Sequence, residues 1–221
     1  MTSRPRIVPL GDSALLVKLG DEIDVTINQQ VHAFAALLNL SPLDGVVETV
    51  PAYASLLIHY DPILLNYARI CSWVRGKLDQ LESATLRTPR QFEVPVRYGG
   101  EFGVDLKFVA DLHRLHVEDV IRIHSERIYT IYMMGFTPGF PYMGKLDDVI
   151  FTPRLETPRT HVPSGTVAIA GSQTGIYPID SPGGWRLIGH TSLQLFDLNS
   201  ESPFLFTPGD EVKFVVENHV I

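Results

Sequence analysis

Residues 135–191 read GFTPGFPYMGKLDDVIFTPRLETPRTHVPSGTVAIAGSQTGIYPIDSPGGWRLIGHT, and this stretch decides the fold of the second half of the chain. It holds nine of the seventeen glycines and seven of the sixteen prolines. Glycine admits positive φ, whereas proline fixes φ at about −65° and donates no backbone hydrogen bond, so this density predicts many shaped turns. Apolar runs at residues 167–170 and 185–188 alternate with the turns. Because such runs bury surface in a core, the stretch is predicted to be tightly turned β structure rather than a disordered linker.

The composition is that of a globular protein without a nucleic-acid partner. The chain has 221 residues, 45% of them apolar, which is enough for one large domain or two small ones. Its formal net charge of −7 argues against nucleic-acid binding, which needs clustered Lys and Arg. The only cysteine, Cys71, has apolar neighbours at helical spacing, which favours a buried small hydrophobe over a nucleophile.

The sequence contains no targeting or membrane-spanning pattern. Residues 1–9 lack the apolar run of about 7–15 residues that a secretory signal needs. No run approaches the roughly 20 apolar residues of a spanning helix. A single cysteine permits no intrachain disulfide and no cysteine-based zinc site. We therefore expect a cytoplasmic protein that does not enter a membrane.

Strand-like and helix-like segments alternate in the first third of the chain. The predicted strands are residues 7–8, 14–19, 46–50 and 55–60, and the predicted helices run from an N-cap at Asp24 to about Leu40 and from residue 63 to 81. This order predicts a small α+β sandwich with both helices on one face of the sheet.

A polar segment at residues 82–91 is the predicted domain boundary, dividing the chain into residues 1–88 and 89–221. After it, apolar residues recur at helical spacing between residues 105 and 124. The remainder contains short apolar runs separated by turn residues, up to a last strand at residues 211–216. This pattern favours a β-barrel or sandwich that carries a small helical insert.

The glycine-rich run at residues 135–144 matches neither familiar phosphate-binding loop. A Walker loop needs Gly-Lys-Ser/Thr after its glycines, and a dinucleotide loop needs G-x-G-x-x-G. The run instead offers backbone amides beside Phe136, Phe140 and Tyr142, a combination suited to a small planar polar ligand. The alternative is a pair of tight turns whose aromatic rings fill the core.

Four cations lie in this stretch of an acidic protein: Lys145, Arg154, Arg159 and Arg186. Two of the arginines follow a proline, and a guanidinium on such a stiff loop can bind a carboxylate or phosphate through two parallel hydrogen bonds. An anionic ligand is one interpretation. The other is ion pairing with nearby carboxylates, namely Asp147, Asp148, Glu156 and Asp180.

The histidines are weaker candidates. His113 and His116 stand three residues apart in a helical segment, followed by His124, but no carboxylate pattern completes a metal site, so no metal is predicted. His161 and His190 lie in the glycine- and proline-rich stretch and can transfer protons near neutral pH.

The chain also lacks a nucleophile motif. Ser164 and Ser181 are not part of a G-x-S-x-G elbow, and no Ser-x-x-Lys set is present. The residues by themselves therefore predict a binding cleft without a complete catalytic set, and no catalytic residue is assigned.

The order of these glycines and prolines closely resembles that of the family of 5-oxoprolinase B subunits, also called allophanate hydrolase subunit 1 or the KipI family. The matching segments are GFTPGFPYMGKLD, TPRLETPRTHVPSGTVAIAGSQTGIYPIDSPGGWRLIGHT, GDSALL at residues 11–16, VPVRYGG at residues 94–100 and PGD at residues 208–210. The resemblance covers nearly the whole chain.

The resemblance implies an α+β fold: a small, ferredoxin-like N-terminal α+β sandwich followed by a cyclophilin-like β-barrel. It also implies that the chain works with a homologous C subunit and with an A subunit in the ATP-dependent opening of 5-oxoproline to L-glutamate, with ATP and Mg²⁺ bound by the complex. Related proteins leave two alternatives, a histidine kinase inhibitor and a carboxyltransferase-like subunit of a urea- or allophanate-related enzyme.

In this family context, the arginines are candidates for holding the 5-oxoproline carboxylate or a phosphoryl group, and amides around the glycines are candidates for binding oxygens. The substrate- or nucleotide-binding candidates are Phe136, Pro138, Gly139, Phe140, Tyr142, Arg154, Arg159, Ser164, Gly165, Gln173, Tyr177, Gly183, Gly184, Trp185, Arg186 and His190. His190 stands where the family is expected to have arginine, so a mostly neutral group replaces a permanent cation. The missing acid–base groups are expected to come from the C subunit.

Overall fold

A computed structural model describes residues 4–81 and 88–220, with side chains to residue 217. The first third of the chain folds into a four-stranded antiparallel sheet with two helices. Its elements are β1 (Arg6–Pro9), β2 (Ala14–Lys18), α1 (Val25–Leu40), β3 (Val46–Pro51), β4 (Ser55–Tyr60) and α2 (Tyr67–Leu78). The sheet order is β1-β2-β4-β3. The predicted succession of strands, helix, strands and helix is confirmed.

The start of α1 was predicted correctly from the sequence, whereas the start of α2 was not. Asp24 caps α1 as predicted, because its side chain accepts a hydrogen bond from the backbone N–H of Ile27 at 3.0 Å. Helix α2 begins later than the predicted residue 63: Asn66 caps it, and Ile63 is 90% exposed. The predicted start was wrong because apolar spacing continues through the turn that precedes the cap.

Both helices pack on one face of this sheet, as predicted. The buried cluster joins side chains from the sheet to Phe34 and Leu38 of α1 and to Ile70 and Val74 of α2. Cys71 is 4% exposed within it, which confirms its prediction as a buried small hydrophobe. The element order ββαββα differs from the βαββαβ of a ferredoxin-like fold, so the α+β sandwich is established and the ferredoxin-like detail stays a prediction.

The chain divides into two compact units, Met1–Thr88 and Pro89–Ile221. Residues 82–87 of the predicted boundary segment lie outside the described residues. No helix among the described residues is long and apolar enough to cross a membrane.

The second unit is a closed barrel of seven strands with two helices, which confirms the predicted barrel and helical insert. Its elements are β5 (Gln91–Gly99), α3 (Leu106–His113), α4 (Val117–Glu126), β6 (Ile128–Met134), β7 (Pro141–Gly144), β8 (Arg159–Val162), β9 (Thr166–Ala170), β10 (Gln173–Ile176), β11 (Ser181–Gly183), β12 (Arg186–His190) and β13 (Glu211–Val220). The barrel order is β10-β7-β6-β13-β5-β12-β9, and β8 and β11 form a separate two-stranded sheet.

The helical segment is two helices rather than one. Arg114 adopts a left-handed conformation with φ of 56°, which ends α3 and lets the chain turn before α4. His113 therefore ends one helix and His116 occupies the N-cap of the next, so the two histidines do not lie on one continuous helix. Among the described residues, no group of three or more His, Cys, Asp or Glu side chains could hold a metal ion.

A polar network lies inside the barrel unit. The two ring nitrogens of His124 bond Tyr98 Oη and Thr174 Oγ1, each at 2.8 Å. Burial lowers the pKa of His124 to about 3, so its imidazole is neutral. We call Tyr98, His124 and Thr174 the interior network. It leaves His124 bonded within the chain and unsuited to external proton transfer.

Candidate functional site

The loop between β6 and β7 holds an aromatic side chain in a strained turn. Thr137 N–H donates to Gly135 O at 2.9 Å, and Phe136 between them has a φ of 68°. These features define a γ-turn of the positive-φ kind, which is rare and strained for a non-glycine residue. Phe136 is 63% exposed, whereas Phe140 at the end of the loop is buried. The core-filling interpretation of this loop therefore describes Phe140, whereas Phe136 faces outward and its role as a ligand-binding residue stays a prediction.

Next to this loop lies a concave site of about 310 Å³, which we call the aromatic cleft. Its lining consists of Phe136, Phe140, Tyr142, Arg154, Leu155, Pro158, Tyr177, Pro182, Gly183, Gly184 and Trp185. Phe140 packs edge-on against Tyr177, with ring centroids 5.1 Å apart, and against Trp185 at 5.4 Å. Such edge-to-face packing favours one ring arrangement, so the floor of the cleft is rigid and apolar.

Arg154 supplies a positive charge at this cleft. Its guanidinium carbon lies 5.7 Å from the centre of the Trp185 ring, a cation–π distance, and the residue is exposed. No carboxylate belongs to the lining, and among residues 4–81 and 88–217 Arg154 forms no ion pair. The cleft is therefore electropositive at its rim and apolar at its floor.

Two phenols complete the polar part of the lining. Burial raises the pKa of Tyr142, although the charge of Arg154 opposes the rise. Burial also raises the pKa of Tyr177, opposed by a hydrogen bond from the backbone of Trp185 and by the charge of Arg154. Both phenols are therefore protonated at neutral pH and act as neutral hydrogen-bonding groups.

Gly183 lets Tyr177 pack against the backbone at the base of the cleft. A Cβ at residue 183 would lie 2.3 Å from Tyr177 Oη, a distance that real side chains do not reach. At Gly184 the nearest atom, from Pro158, would be 3.6 Å away, which is ordinary contact. Of the two neighbouring glycines, only Gly183 is required by packing.

The other two candidate arginines are engaged within the chain. Arg159 Nη2 pairs with Asp105 Oδ1 at 2.8 Å, and Asp105 Oδ2 accepts the N–H of Leu187 at 2.8 Å. Arg186 Nε donates to Pro153 O at 3.2 Å, and its guanidinium carbon lies 4.0 Å from the Phe108 ring centre. The ion-pairing alternative thus describes Lys145, whose Nζ lies 3.6 Å from Asp148 Oδ1 as expected. It also describes Arg159, but the partner there is Asp105 rather than a carboxylate of the same stretch.

The remaining candidates lie elsewhere. His190 Nε2 lies 3.0 Å from Ser164 O, and a Cβ at Gly165 would meet Thr191 O at 2.3 Å, so the turn at Ser164 and Gly165 packs tightly against the end of β12. His190 and Arg186 are at opposite ends of β12, which spans roughly 13 Å at the usual rise of a strand. Gln173 begins β10, and His161 is exposed in β8. Pro138 and Gly139 line a neighbouring groove that shares Phe136 with the cleft.

The structure therefore gathers half of the sequence candidates. Those in the aromatic cleft are Phe136, Phe140, Tyr142, Arg154, Tyr177, Gly183, Gly184 and Trp185. Sequence reasoning missed Leu155, Pro158 and Pro182, which complete the lining; their position next to candidate residues was the available signal. No local signal marks Asp105, since its partner Arg159 is 54 residues away along the chain.

The sequence of this chain matches a known protein family. A family model described as carboxyltransferase domain, subdomain C and D, matches residues 5–206. The chain belongs to this family, and within it to the group of the 5-oxoprolinase B subunits, as its curated relatives show. The resemblance drawn from the sequence is confirmed.

Two of these relatives match almost end to end. The 5-oxoprolinase B subunit of Bacillus subtilis is 43% identical, over 97% of this chain and 94% of the relative. The protein of the same name from Haemophilus influenzae is 42% identical, over 96% of this chain and 97% of the relative. Among solved structures, the crystal structure of TTHA0988 superposes with a TM-score of 0.81 and 37% identity over 92% of this chain, which spans 39% of that longer chain.

Proposed function

We propose that this chain is the B subunit of an ATP-dependent 5-oxoprolinase, which opens 5-oxoproline to L-glutamate in a complex with a homologous C subunit and an A subunit. The observation that carries the proposal is the pair of relatives named as 5-oxoprolinase B subunits, which cover 97% and 96% of this chain at more than 40% identity. The cyclophilin-like type of barrel and the ferredoxin-like sandwich belong to the same proposal.

The reaction sets clear demands on a site. Water must add to the lactam carbonyl carbon, the ring C–N bond must break, and the ring nitrogen must take up a proton to leave as an amine. Phosphorylation of the carbonyl oxygen by ATP makes that carbon easier to attack, and cations near the developing charge lower the barrier. Hydrolysis of ATP accompanies each ring opening.

The aromatic cleft meets part of these demands. Arg154 provides a cation, Tyr142 and Tyr177 provide neutral hydrogen-bonding groups, and the packed rings provide an apolar surface. The lining contains no carboxylate and no histidine that could accept the proton of the attacking water. A protein that supplies one wall of a shared active site has this composition, and the acid–base group then comes from the C subunit.

The described residues do not by themselves fit a Mg²⁺-nucleotide site. They contain no cluster of three or more side chains suited to a metal, and the glycine-rich loop lacks the order of a Walker loop. We therefore assign ATP to the assembled complex, while this chain binds and orients the substrate.

Reconstitution tests the proposal. The purified chain is mixed with the A and C subunits, and the release of glutamate and phosphate is measured with 5-oxoproline present or absent. Turnover that needs all three proteins and 5-oxoproline is the expected result. A folded, associated complex without turnover would refute the proposal. Arg122→Ala, on the exposed face of α4, is a control that should leave turnover unchanged.

A carboxyl-transfer role is the second candidate, because the matching family model is described as a carboxyltransferase domain. It requires a biotin carrier and a biotin carboxylase as partners. Labelled bicarbonate distinguishes the two functions: incorporation that depends on a biotin carrier, without glutamate release, would favour carboxyl transfer.

A further inference from the structure

Three arginines lie in the glycine- and proline-rich stretch, and the structure separates them. Arg159 is paired with Asp105, and Arg186 is held by Pro153 O and the Phe108 ring. Arg154 alone among the three is exposed at the cleft and contacts the Trp185 ring face without an ion pair among the described residues. Its donors therefore remain available to an anion that enters the cleft.

The cleft selects the size and shape of that anion. At about 310 Å³ it lies at the small end of the roughly 300–1,000 Å³ range of ligand pockets. Its floor is the packed arrangement of Phe140 and Trp185, an apolar surface beside the exposed Arg154. A carboxylate bound beside an apolar surface interacts more strongly with a guanidinium than it would in water. A small, flat, singly charged carboxylate fits better than a nucleotide.

Phe136 borders the entrance of the cleft. Its γ-turn holds a large aromatic side chain outward, with 63% exposed, where it contacts Phe140 edge-on at 5.8 Å between ring centroids. Strain of this kind persists only where the surrounding structure determines it, and it is enriched at ligand-binding sites. Phe136 is thus placed to cover a ring that lies on the floor of the cleft.

We propose that the aromatic cleft binds the lactam ring of 5-oxoproline, with the ring carboxylate on Arg154, beside Trp185, and the ring against the exposed side chain of Phe136. This inference rests on the proposed function, since the substrate comes from it. It assigns Arg154 to the carboxylate, leaving the lactam carbonyl to face the partner protein that completes the site. Arg154 is then a binding residue and not part of the proton transfer.

Tryptophan fluorescence tests the assignment in the full chain. The chain has two tryptophans, Trp73 in α2 and Trp185 in the cleft, so Trp73→Phe leaves Trp185 as the single reporter. This protein is titrated with 5-oxoproline and with 2-pyrrolidinone, the same lactam ring without a carboxylate. Saturable quenching with a preference of at least about tenfold for 5-oxoproline is expected, the usual contribution of a charged hydrogen bond. No saturable response, or equal affinity for both ligands, overturns the proposal.

Substitutions at Arg154 test whether this residue causes the preference for 5-oxoproline over 2-pyrrolidinone. Arg154→Ala should abolish the discrimination between the two ligands, and Arg154→Lys should restore part of it because the charge returns without the planar donors. Arg122→Ala in the same background should bind like the parent. Discrimination that survives Arg154→Ala assigns the carboxylate to another residue and overturns the proposal. Circular dichroism of each variant shows that the fold is retained.

Steady-state kinetics of the reconstituted complex separate this inference from the proposed function. Arg154→Ala should raise KM for 5-oxoproline by about tenfold or more and leave KM for ATP unchanged. A rise in KM for ATP alone would place a phosphate at Arg154 and overturn the proposal. If the wild-type complex opens no 5-oxoproline, the proposed function fails, while the fluorescence titration still decides what the cleft binds.

Discussion

The interior network and the aromatic cleft belong to the same barrel unit and combine aromatic rings with polar groups, yet they differ in how those groups are satisfied. In the interior network, both nitrogens of His124 have a hydrogen-bond partner within the chain. In the cleft, the charge of Arg154 faces a tryptophan ring and has no carboxylate in the lining. Polar groups that find hydrogen-bond partners within the chain stabilise its fold. A cation that lies beside a concave apolar surface without such a partner is available to a ligand.

The first prediction compares two arginines that each end a Thr-Pro-Arg triplet. Arg159→Ala should lower the free energy of unfolding by about 2 kcal/mol, because the buried carboxylate of Asp105 loses its counter-charge and, among the described residues, keeps only the hydrogen bond from Leu187 N–H. This loss is smaller than that usual for a buried pair because the Arg159 side chain is 29% exposed. Arg154→Ala should change it by less than about 0.5 kcal/mol.

Urea unfolding of the full-length variants, followed by circular dichroism, measures both changes. Equal losses for the two variants would contradict the distinction between a structural and a ligand-binding arginine. If Asp105→Asn relieves part of the loss in Arg159→Ala, the loss comes from the unpaired charge.

The second prediction concerns the two adjacent glycines of the cleft. Gly183→Ala should lower stability by about 1–2 kcal/mol, because its Cβ would lie 2.3 Å from Tyr177 Oη and force the ring to move. Gly184→Ala is the matched control, with its closest contact at 3.6 Å, and should be nearly neutral. The same displacement should weaken 5-oxoproline binding in the Trp185 titration for Gly183→Ala alone. A loss of similar size in both variants would show that Tyr177 does not depend on Gly183.

The third prediction tests the interior network through pH. The pKa of His124 is depressed in the folded state to about 3, so this residue contributes stability above its unfolded pKa of about 6.5 that is lost as the pH falls. Between pH 7 and pH 6 the loss from this one group is about 0.7 kcal/mol. The measurement is the difference in unfolding free energy between the wild type and His124→Gln at the two pH values. A difference that does not change with pH would mean that His124 is not buried in its neutral form.

Local sequence was sufficient for much of the fold because the signals that start, end and pack an element are short-range. Asp24 and the apolar residues after it predicted α1 to its observed end at Leu40. The turn-rich stretch was correctly predicted to be β structure. The start of α2 and the break at Arg114 were missed, because apolar spacing continues across both positions and only a cap or a left-handed residue ends a helix there.

The sequence predicted the types of residue in the candidate site better than it predicted which individual residues belong to it. Aromatic rings next to tight turns, with arginines on stiff backbone, mark the stretch whose residues line the cleft, and its role in binding stays a prediction. Ser164, Gly165 and His190 were grouped with that cleft only because they are close to it along the chain, while the strand β12 carries His190 away from it. Glycine and proline density along the sequence does not show that two residues lie at opposite ends of a strand, and here that separation takes His190 out of the cleft.

By itself, the sequence determined the β-rich character of residues 135–191, the caps and core-facing residues of α1, and the family to which the chain belongs. Tertiary structure alone decided which arginine remains available for a ligand. Arg154 and Arg159 have the same local sequence, Thr-Pro-Arg, and the difference between them is Asp105, brought to Arg159 from 54 residues away. Backbone dihedral preferences are local and can be read from neighbouring residues, whereas the partner of a charge is set by whichever distant segment the fold packs against it.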